Sequence, residues 1–493
     1  MDLISQAWEW VARPIAELPW AFWRDGQWRE FWLGTVFSLR LVILYYLPLI
    51  PLVALAPPAR TRAAIILTGV LFLTYVFGAF YALVWLFVCV AFHTLGERFA
   101  VEARRTDVIP WGPPLAAFGT LALWHVGMQF LARIPLPAGW DAWLLAHAPW
   151  AYPLGLRGFA WEPDWLSLRS AESPRLFAAA FWHPHYIGAA YLTMRMLSYL
   201  SEIKRDTIAR QRRTLESFLA WLFYPPTMIQ GPLERFAEFQ DALDHCHERR
   251  GAGMIAAGVA RMALGAGKCL ASLLYLHPFV VGQLGLYTHN TYFDHPERIQ
   301  SYAVLLFGGH AMIFALYLEF SGYCDFAAGM SRLIGYRPIE NFRWWLLSTS
   351  LVDLWRRWHI SLSFMLRDYI FTPLVRRRLT PTLCLLITFL LCGLWHMLIS
   401  GMLWWGVTMG LAVALNQKWS RWMRDLDRKP HRRLAATRRA WLRLRPLPAV
   451  CAWALTIHAF CVIAWFFFGN GGALRVAWEL LRRPLAWAGV IAP

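Results

Sequence analysis

Residues 382–416 read TLCLLITFLLCGLWHMLISGMLWWGVTMGLAVALN, thirty-five positions without an Asp, Glu, Lys or Arg. As one helix this run would be ~52 Å long, far more than the ~30 Å hydrocarbon core of a bilayer. It has to turn inside or beside a membrane, and Ser400-Gly401 is the expected place. Similar apolar runs occupy 33–56, 63–95, 115–134, 176–200, 215–230, 253–287, 301–320 and 449–468. The run at 63–95 has room for two helices, and 253–287 carries Arg261 and Lys268, so it breaks or faces a protein interior.

The composition agrees. Of 493 residues 58% are apolar and only 16% are charged, against about a quarter charged in a soluble domain. At about 20 residues per span, this is material for about ten to twelve transmembrane helices. The apolar stretches are continuous, whereas barrel strands would alternate. The expected fold is an all-α, polytopic transmembrane bundle with broken and amphipathic helices, forming one membrane domain over 1–493.

The net charge of +18 is almost wholly arginine, since only Lys204, Lys268, Lys418 and Lys429 are lysines. Basic residues in a membrane protein gather in short cytoplasmic loops. Half of the excess falls between Lys418 and Arg445, so 417–446 reads as a basic cytoplasmic loop, and no nucleic-acid partner is expected. A single span at 449–468 would then put the C-terminus outside. Residues 1–30, with Trp8, Trp10, Trp20, Trp23 and Trp28 among charges, read as an interfacial entry segment and not as a cleavable signal. The eight cysteines form no CxxC pair and read as small buried hydrophobes. His245-Cys246-His247 is too slight a cluster to assign a metal.

Two segments are too polar for lipid yet lie between spans, Glu319 to Asn341 and Trp344 to Pro373. Read as a helix, the second puts Leu347, Leu351, Leu354, Trp355, Trp358, Leu362, Met365, Leu366 and Tyr369 on one stripe. Ser350 with Asp353 resembles a capping box, and Pro373 supplies a stop. Asp353, Arg356, Arg357 and Arg367 fall on the other face. His359 sits at the edge of the stripe and points inward, as core histidines commonly do. His396 ends a charge-free run at membrane depth, where an ionisable group is costly and marks a functional site by default. A neutral imidazole there suits general-base chemistry on a hydroxyl. A helix-to-helix hydrogen bond suits it equally, and the residues alone leave both open.

At these residues the sequence resembles the membrane-bound O-acyltransferase family, in its bacterial branch. EFSGYCDFAAGMSRLIGYRPIENF (319–342) is similar to that branch's acidic-aromatic element. LVDLWRRWHISLSFMLRDYIFTPL (351–374) is similar, nearly residue for residue, to its arginine–histidine signature. GLWH (393–396) with Trp405-Gly406 resembles its histidine motif. FYPPTMIQGPLERFAEF (223–239) and SYLSEIKR (198–205) resemble two upstream elements. The resemblance covers roughly 198–410.

What the resemblance implies is transfer of an acyl group from a thioester to a hydroxyl, with His396 and His359 as the catalytic pair facing each other across a central tunnel. His396 would be the base, and His359 or other polar groups would stabilise the oxyanion. Trp395, Asp325, Asn341, Trp355 and Ser363 would line the substrate path, as would Met397, which replaces the family's glycine after the motif histidine. Arg356, Arg357, Arg367 and Asp368 would hold helices in place or serve the donor side. No bound cofactor and no metal are expected. The donor would be acetyl-coenzyme A or an acyl carrier protein, and the acceptor a hydroxylated glycan or lipid. Membrane lipids and a periplasmic partner acyltransferase complete the expected partners, in the bacterial cytoplasmic (inner) membrane. The 226–236 stretch leans toward teichoic-acid D-alanyltransferases, and the doubled arginine toward alginate-type O-acetyltransferases. A lipid or glycan flippase, or a non-catalytic membrane scaffold, is the alternative of another class, because Arg195, Arg261, Lys268 and Glu319 would also suit a transport path.

Overall fold

The computed structural model describes residues 42–43, 46–77, 79–105, 189–276, 279–280, 284, 291–396, 400–428, 444, 446–469 and 472–488. Every regular element among them is helical, as the apolar runs require. The entry segment 1–30, the span expected at 115–134 and the first part of that at 33–56 lie outside the described residues. The described end of the latter is a set of short turns, Leu47–Leu49 and Ile50–Ala54, because Pro48 and Pro51 prevent one long helix.

The 63–95 run forms two helices, α1 (Thr61–Phe77) and α2 (Ala79–Arg105). After α3 (Ala189–Lys204), α4 (Leu215–Leu222) starts at an N-cap where Thr214 Oγ1 accepts from Ser217 N at 3.1 Å. The span expected at 215–230 is not one helix. Pro225 and Pro226 lack the N–H groups that would continue it, and only a short turn, Pro225–Met228, follows. Then come α5 (Phe236–Asp244), α6 (Ala252–Ala271, extended by a π turn to Leu276) and α7 (Tyr302–Leu333). The polar 319–333 stretch therefore continues the α7 helix rather than breaking it.

Among the described residues three helical stretches are long and apolar enough to cross a bilayer: Ala252–Leu276, Tyr302–Leu333 and Leu447–Phe466. Next along the chain are α8 (Leu351–Trp355), α9 (Ile360–Leu366), α10 (Pro381–His396), α11 (Ser400–Arg428), α12 (Leu447–Gly469) and α13 (Gly472–Trp487). The 382–416 run is shared between two helices, α10 ending at His396 and α11 beginning at Ser400. α11 continues to Arg428, so the basic segment expected as a loop from 417 begins as helix.

The chain divides into two compact units. One holds the described residues of Leu270–Leu318 and Glu340–Pro493, the other those of Asp25–Cys269 and Glu319–Ile339. In the first, Leu284, Tyr292, Phe293, Leu305, Met312 and Trp465 form a buried core. In the second, α6 and α7 meet backbone to backbone at Gly265 and Gly322, where a Cβ on Gly322 would lie 2.7 Å from the Gly265 carbonyl oxygen.

Candidate active site

The segment expected as one helix from Trp344 to Pro373 is broken at His359, and hydrogen bonds show why. A continuous helix needs Ile360 N and Ser361 N to bond the carbonyls of Arg356 and Arg357. Instead Ile360 N donates to Asn341 O at 2.9 Å and Ser361 N to Asn341 Oδ1 at 3.2 Å. The Arg357 carbonyl is occupied by Arg343 N at 2.9 Å. The chain turns through a left-handed residue, His359, at φ 45°. A non-glycine residue there costs about 1–3 kcal/mol and is found where the surroundings over-determine it, often at functional sites. Pro373 does not stop the segment either; it sits in the first turn of a short helix, Thr372–Arg376, where a missing N–H is harmless. The capping expectation holds, with Ser350 Oγ accepting from Asp353 N at 3.1 Å.

His359 is buried, 4% exposed. Its Nδ1 lies 3.2 Å from Asn341 Oδ1, which also accepts from Ser361 Oγ at 2.8 Å. The preceding residue anchors the turn: the Trp358 ring meets Trp345 at 4.9 Å, Phe342 at 5.1 Å and Phe460 at 5.2 Å between centroids, each edge to face. Ser363 Oγ returns to the Trp358 carbonyl at 3.4 Å.

His396 is the last residue of α10, and its hairpin partner α11 packs close enough to fix it. A Cβ at Gly406 would lie 2.6 Å from the Phe389 carbonyl oxygen, and one at Gly393 would strike the Met402 carbonyl. Glycine is what lets the two helices approach at the GLWH turn. The His396 ring then sits against Trp395 at 4.7 Å and edge-on to Trp405 at 5.9 Å. Trp355 of α8 packs on Phe389 at 5.0 Å and Trp405 at 6.2 Å. One aromatic wall thus joins the arginine–histidine segment to the GLWH hairpin, and both belong to the same compact unit. Met397 lies outside the described residues.

The charged neighbours form ion pairs. Arg357 Nε meets Asp353 Oδ2 at 2.9 Å, and Arg367 bonds Asp368 at 2.7 and 3.1 Å while lying over the Phe364 ring. Arg356 is exposed. Asp325 belongs to the other unit, where Arg261 reaches it through Nε at 2.8 Å and Nη2 at 2.7 Å, and Lys268 Nζ at 2.6 Å. Arg195, fully buried there, donates to the carbonyls of Trp221 and Thr227, both at 2.8 Å, and to Thr227 Oγ1 at 2.6 Å. It thereby satisfies acceptors around the helix break at Pro225-Pro226. These interactions give the intramembrane charges partners within the protein.

Sequence reasoning missed Ser361, Trp405 as a wall of the His396 ring, and Trp345 as the anchor of the turn. The first is visible only once Asn341 is known to clamp a segment 20 residues away. The other two read as ordinary core aromatics until the hairpin brings them together.

Residues 176–448 match the membrane-bound O-acyltransferase family. The chain is 25% identical over 303 residues to a teichoic acid D-alanyltransferase of Bacillus subtilis, covering 58% of this chain and 69% of that one. It is 29% identical over 322 residues to a probable alginate O-acetylase of Pseudomonas fluorescens, covering 62% and 60%. Over 180 residues it is 32% identical to a peptidoglycan O-acetyltransferase of Helicobacter pylori, covering 36% and 31%. The chain thus spans less than two thirds of the length of the alginate and peptidoglycan relatives.

Proposed function

The chain belongs to the membrane-bound O-acyltransferase family, a multi-pass membrane protein, and from that premise we propose that it acylates hydroxyl groups of a cell-envelope or exported glycan at the bacterial inner membrane. The donor is a cytoplasmic thioester, acetyl-coenzyme A or an acyl carrier protein, and the transferred group is short, acetyl first. The observation that carries this reading is that one compact unit holds both motif imidazoles, His359 buried in a left-handed turn and His396 walled by Trp395 and Trp405.

In the reaction His396 accepts the proton of the attacking hydroxyl as its oxygen bonds to the thioester carbonyl carbon. The C–S bond then breaks, and the departing sulfur takes up a proton, giving an ester and a free thiol. His359 is buried and His396 half-buried against Trp395 and Trp405, and apolar walls of this kind limit the water that would otherwise hydrolyse the thioester. The test is transfer of radiolabelled acetyl from acetyl-coenzyme A to envelope glycan by the protein in nanodiscs. His396→Ala should lose at least about 10²-fold while melting near wild type. A variant that keeps most of its activity removes His396 from the reaction.

D-alanyl transfer is the second reading, favoured by the likeness to a protein named teichoic acid D-alanyltransferase. The same assay run with D-alanyl carrier protein distinguishes the two.

A further inference from the structure

Asn341 Oδ1 faces three groups: Ser361 N at 3.2 Å, Ser361 Oγ at 2.8 Å and His359 Nδ1 at 3.2 Å. The first decides the orientation of the amide. A backbone N–H can only donate, so the atom it meets is the carbonyl oxygen of Asn341 and not its NH2. A carbonyl oxygen can only accept, so His359 Nδ1 must carry a proton. In the neutral ring the lone pair then resides on Nε2. Asn341 O also accepts from Ile360 N at 2.9 Å, so the residue that sets the ring's proton also fixes the left-handed turn from which the ring projects.

We infer that Asn341 is a positioning residue that holds His359 as its Nδ1–H tautomer and makes Nε2 a hydrogen-bond acceptor toward the hydroxyl groups of the acyl acceptor. This rests on the function proposed above and changes one part of it. A neutral His359 with its proton on Nδ1 has no Nε2–H to offer an oxyanion, the role that resemblance suggests for it. It receives a hydrogen bond instead, and so presents the acceptor's hydroxyls beside His396. The arrangement parallels a carboxylate orienting the histidine of a hydrolytic triad, where the partner's oxygen selects the tautomer. Here the oxygen is neutral, and three donors plus the backbone clamp hold it still.

The experiment reads the tautomer directly. The full chain is labelled with 15N-imidazole histidine, placed in nanodiscs and studied by NMR without substrate, the His359 signals being assigned by their loss in His359→Gln. The expected result is a protonated Nδ1 and an unprotonated Nε2. Asn341→Asp, which keeps an oxygen in place, should retain that pattern when recorded on the alkaline side of its own titration, and Asn341→Ala should shift population to the Nε2–H form. A wild-type His359 protonated at Nε2 and not at Nδ1 overturns the inference, and so does an Asn341→Ala spectrum unchanged from wild type. If Asn341→Ala does not fold, the wild-type and Asn341→Asp spectra decide. The activity arm follows acetyl transfer against pH. A carboxylate beside His359 favours its protonated form, so Asn341→Asp should move the acid limb of the profile upward by about 1–3 pH units. An unmoved limb counts against His359 as an acceptor. Because the spectra need no turnover, the tautomer can fail while acyl transfer stands, and the reverse.

Discussion

Replacing Asp325 with Asn should destabilise the unit built on α6 and α7. Its carboxylate is 7% exposed and meets Arg261 at 2.7–2.8 Å and Lys268 at 2.6 Å. Removing one partner of a buried ion pair costs about 3–5 kcal/mol, because the other charge is left behind. Arg261 and Lys268 are, however, 26% and 25% exposed, and water that reaches them screens part of that loss. About 2–3 kcal/mol remains. At about 2–4 °C per kcal/mol, the melting temperature in nanodiscs should fall by about 5–10 °C. Adding Lys268→Met to Asp325→Asn removes one of the stranded charges, so the double variant should melt above the single one. The reasoning fails if Asp325→Asn melts within about 1 °C of wild type, or if the double variant loses the sum of the two single effects, since contacting charges are expected to couple.

Other expectations are as direct. A cysteine at Thr437, in the basic segment, should resist an impermeant thiol reagent in intact cells, whereas one at Arg475 on exposed α13 should react; labelling at Thr437 alone reverses the topology. Gly472 is a poor reporter, because a Cβ there would lie 2.6 Å from the Phe293 carbonyl oxygen. On α13, Leu474, Trp478, Leu481 and Leu485 are exposed on one stripe while Ala473, Val476 and Glu479 face inward, and the helix begins three residues after a span ends. An environment-sensitive dye at Leu481 should therefore emit blue-shifted relative to one at Arg475, and equal emission would show that the stripe does not meet the bilayer interface. Met397→Gly should extend the range of acyl donors toward longer chains; an unchanged chain-length profile means that Met397 does not border the reacting atoms.

The sequence makes the all-helical membrane architecture legible because its cause is local. Thirty-five consecutive residues without a charge need no partner to reveal that they cross or line a bilayer. The same locality exposes the Ser350 cap, since donor and acceptor are three residues apart. The inward setting of His359 was legible too, from its place beside the stripe.

The break at His359 was not legible, and the reason is instructive. The apolar spacing from Trp344 to Pro373 favours one helix, and most of the stripe is buried: Leu351, Leu354, Trp358, Leu362, Met365 and Leu366, whereas Leu347 is 64% exposed and Trp355 and Tyr369 are half-buried. What defeats it is a residue nine positions before the Ser350 cap, Asn341, whose backbone and side-chain oxygens capture two N–H groups that the helix needs. The helix gives up two internal bonds and gains two to Asn341, so backbone hydrogen bonding barely changes while the direction of the chain does. The left-handed turn then costs about 1–3 kcal/mol, which the Trp358 ring offsets by burying itself among Trp345, Phe342 and Phe460. A helix-period pattern records which side chains face the core and not which carbonyl each N–H will choose. A break made by long-range capture therefore leaves the stripe intact, and here it falls at His359, one of the two imidazoles to which the proposed reaction gives a role.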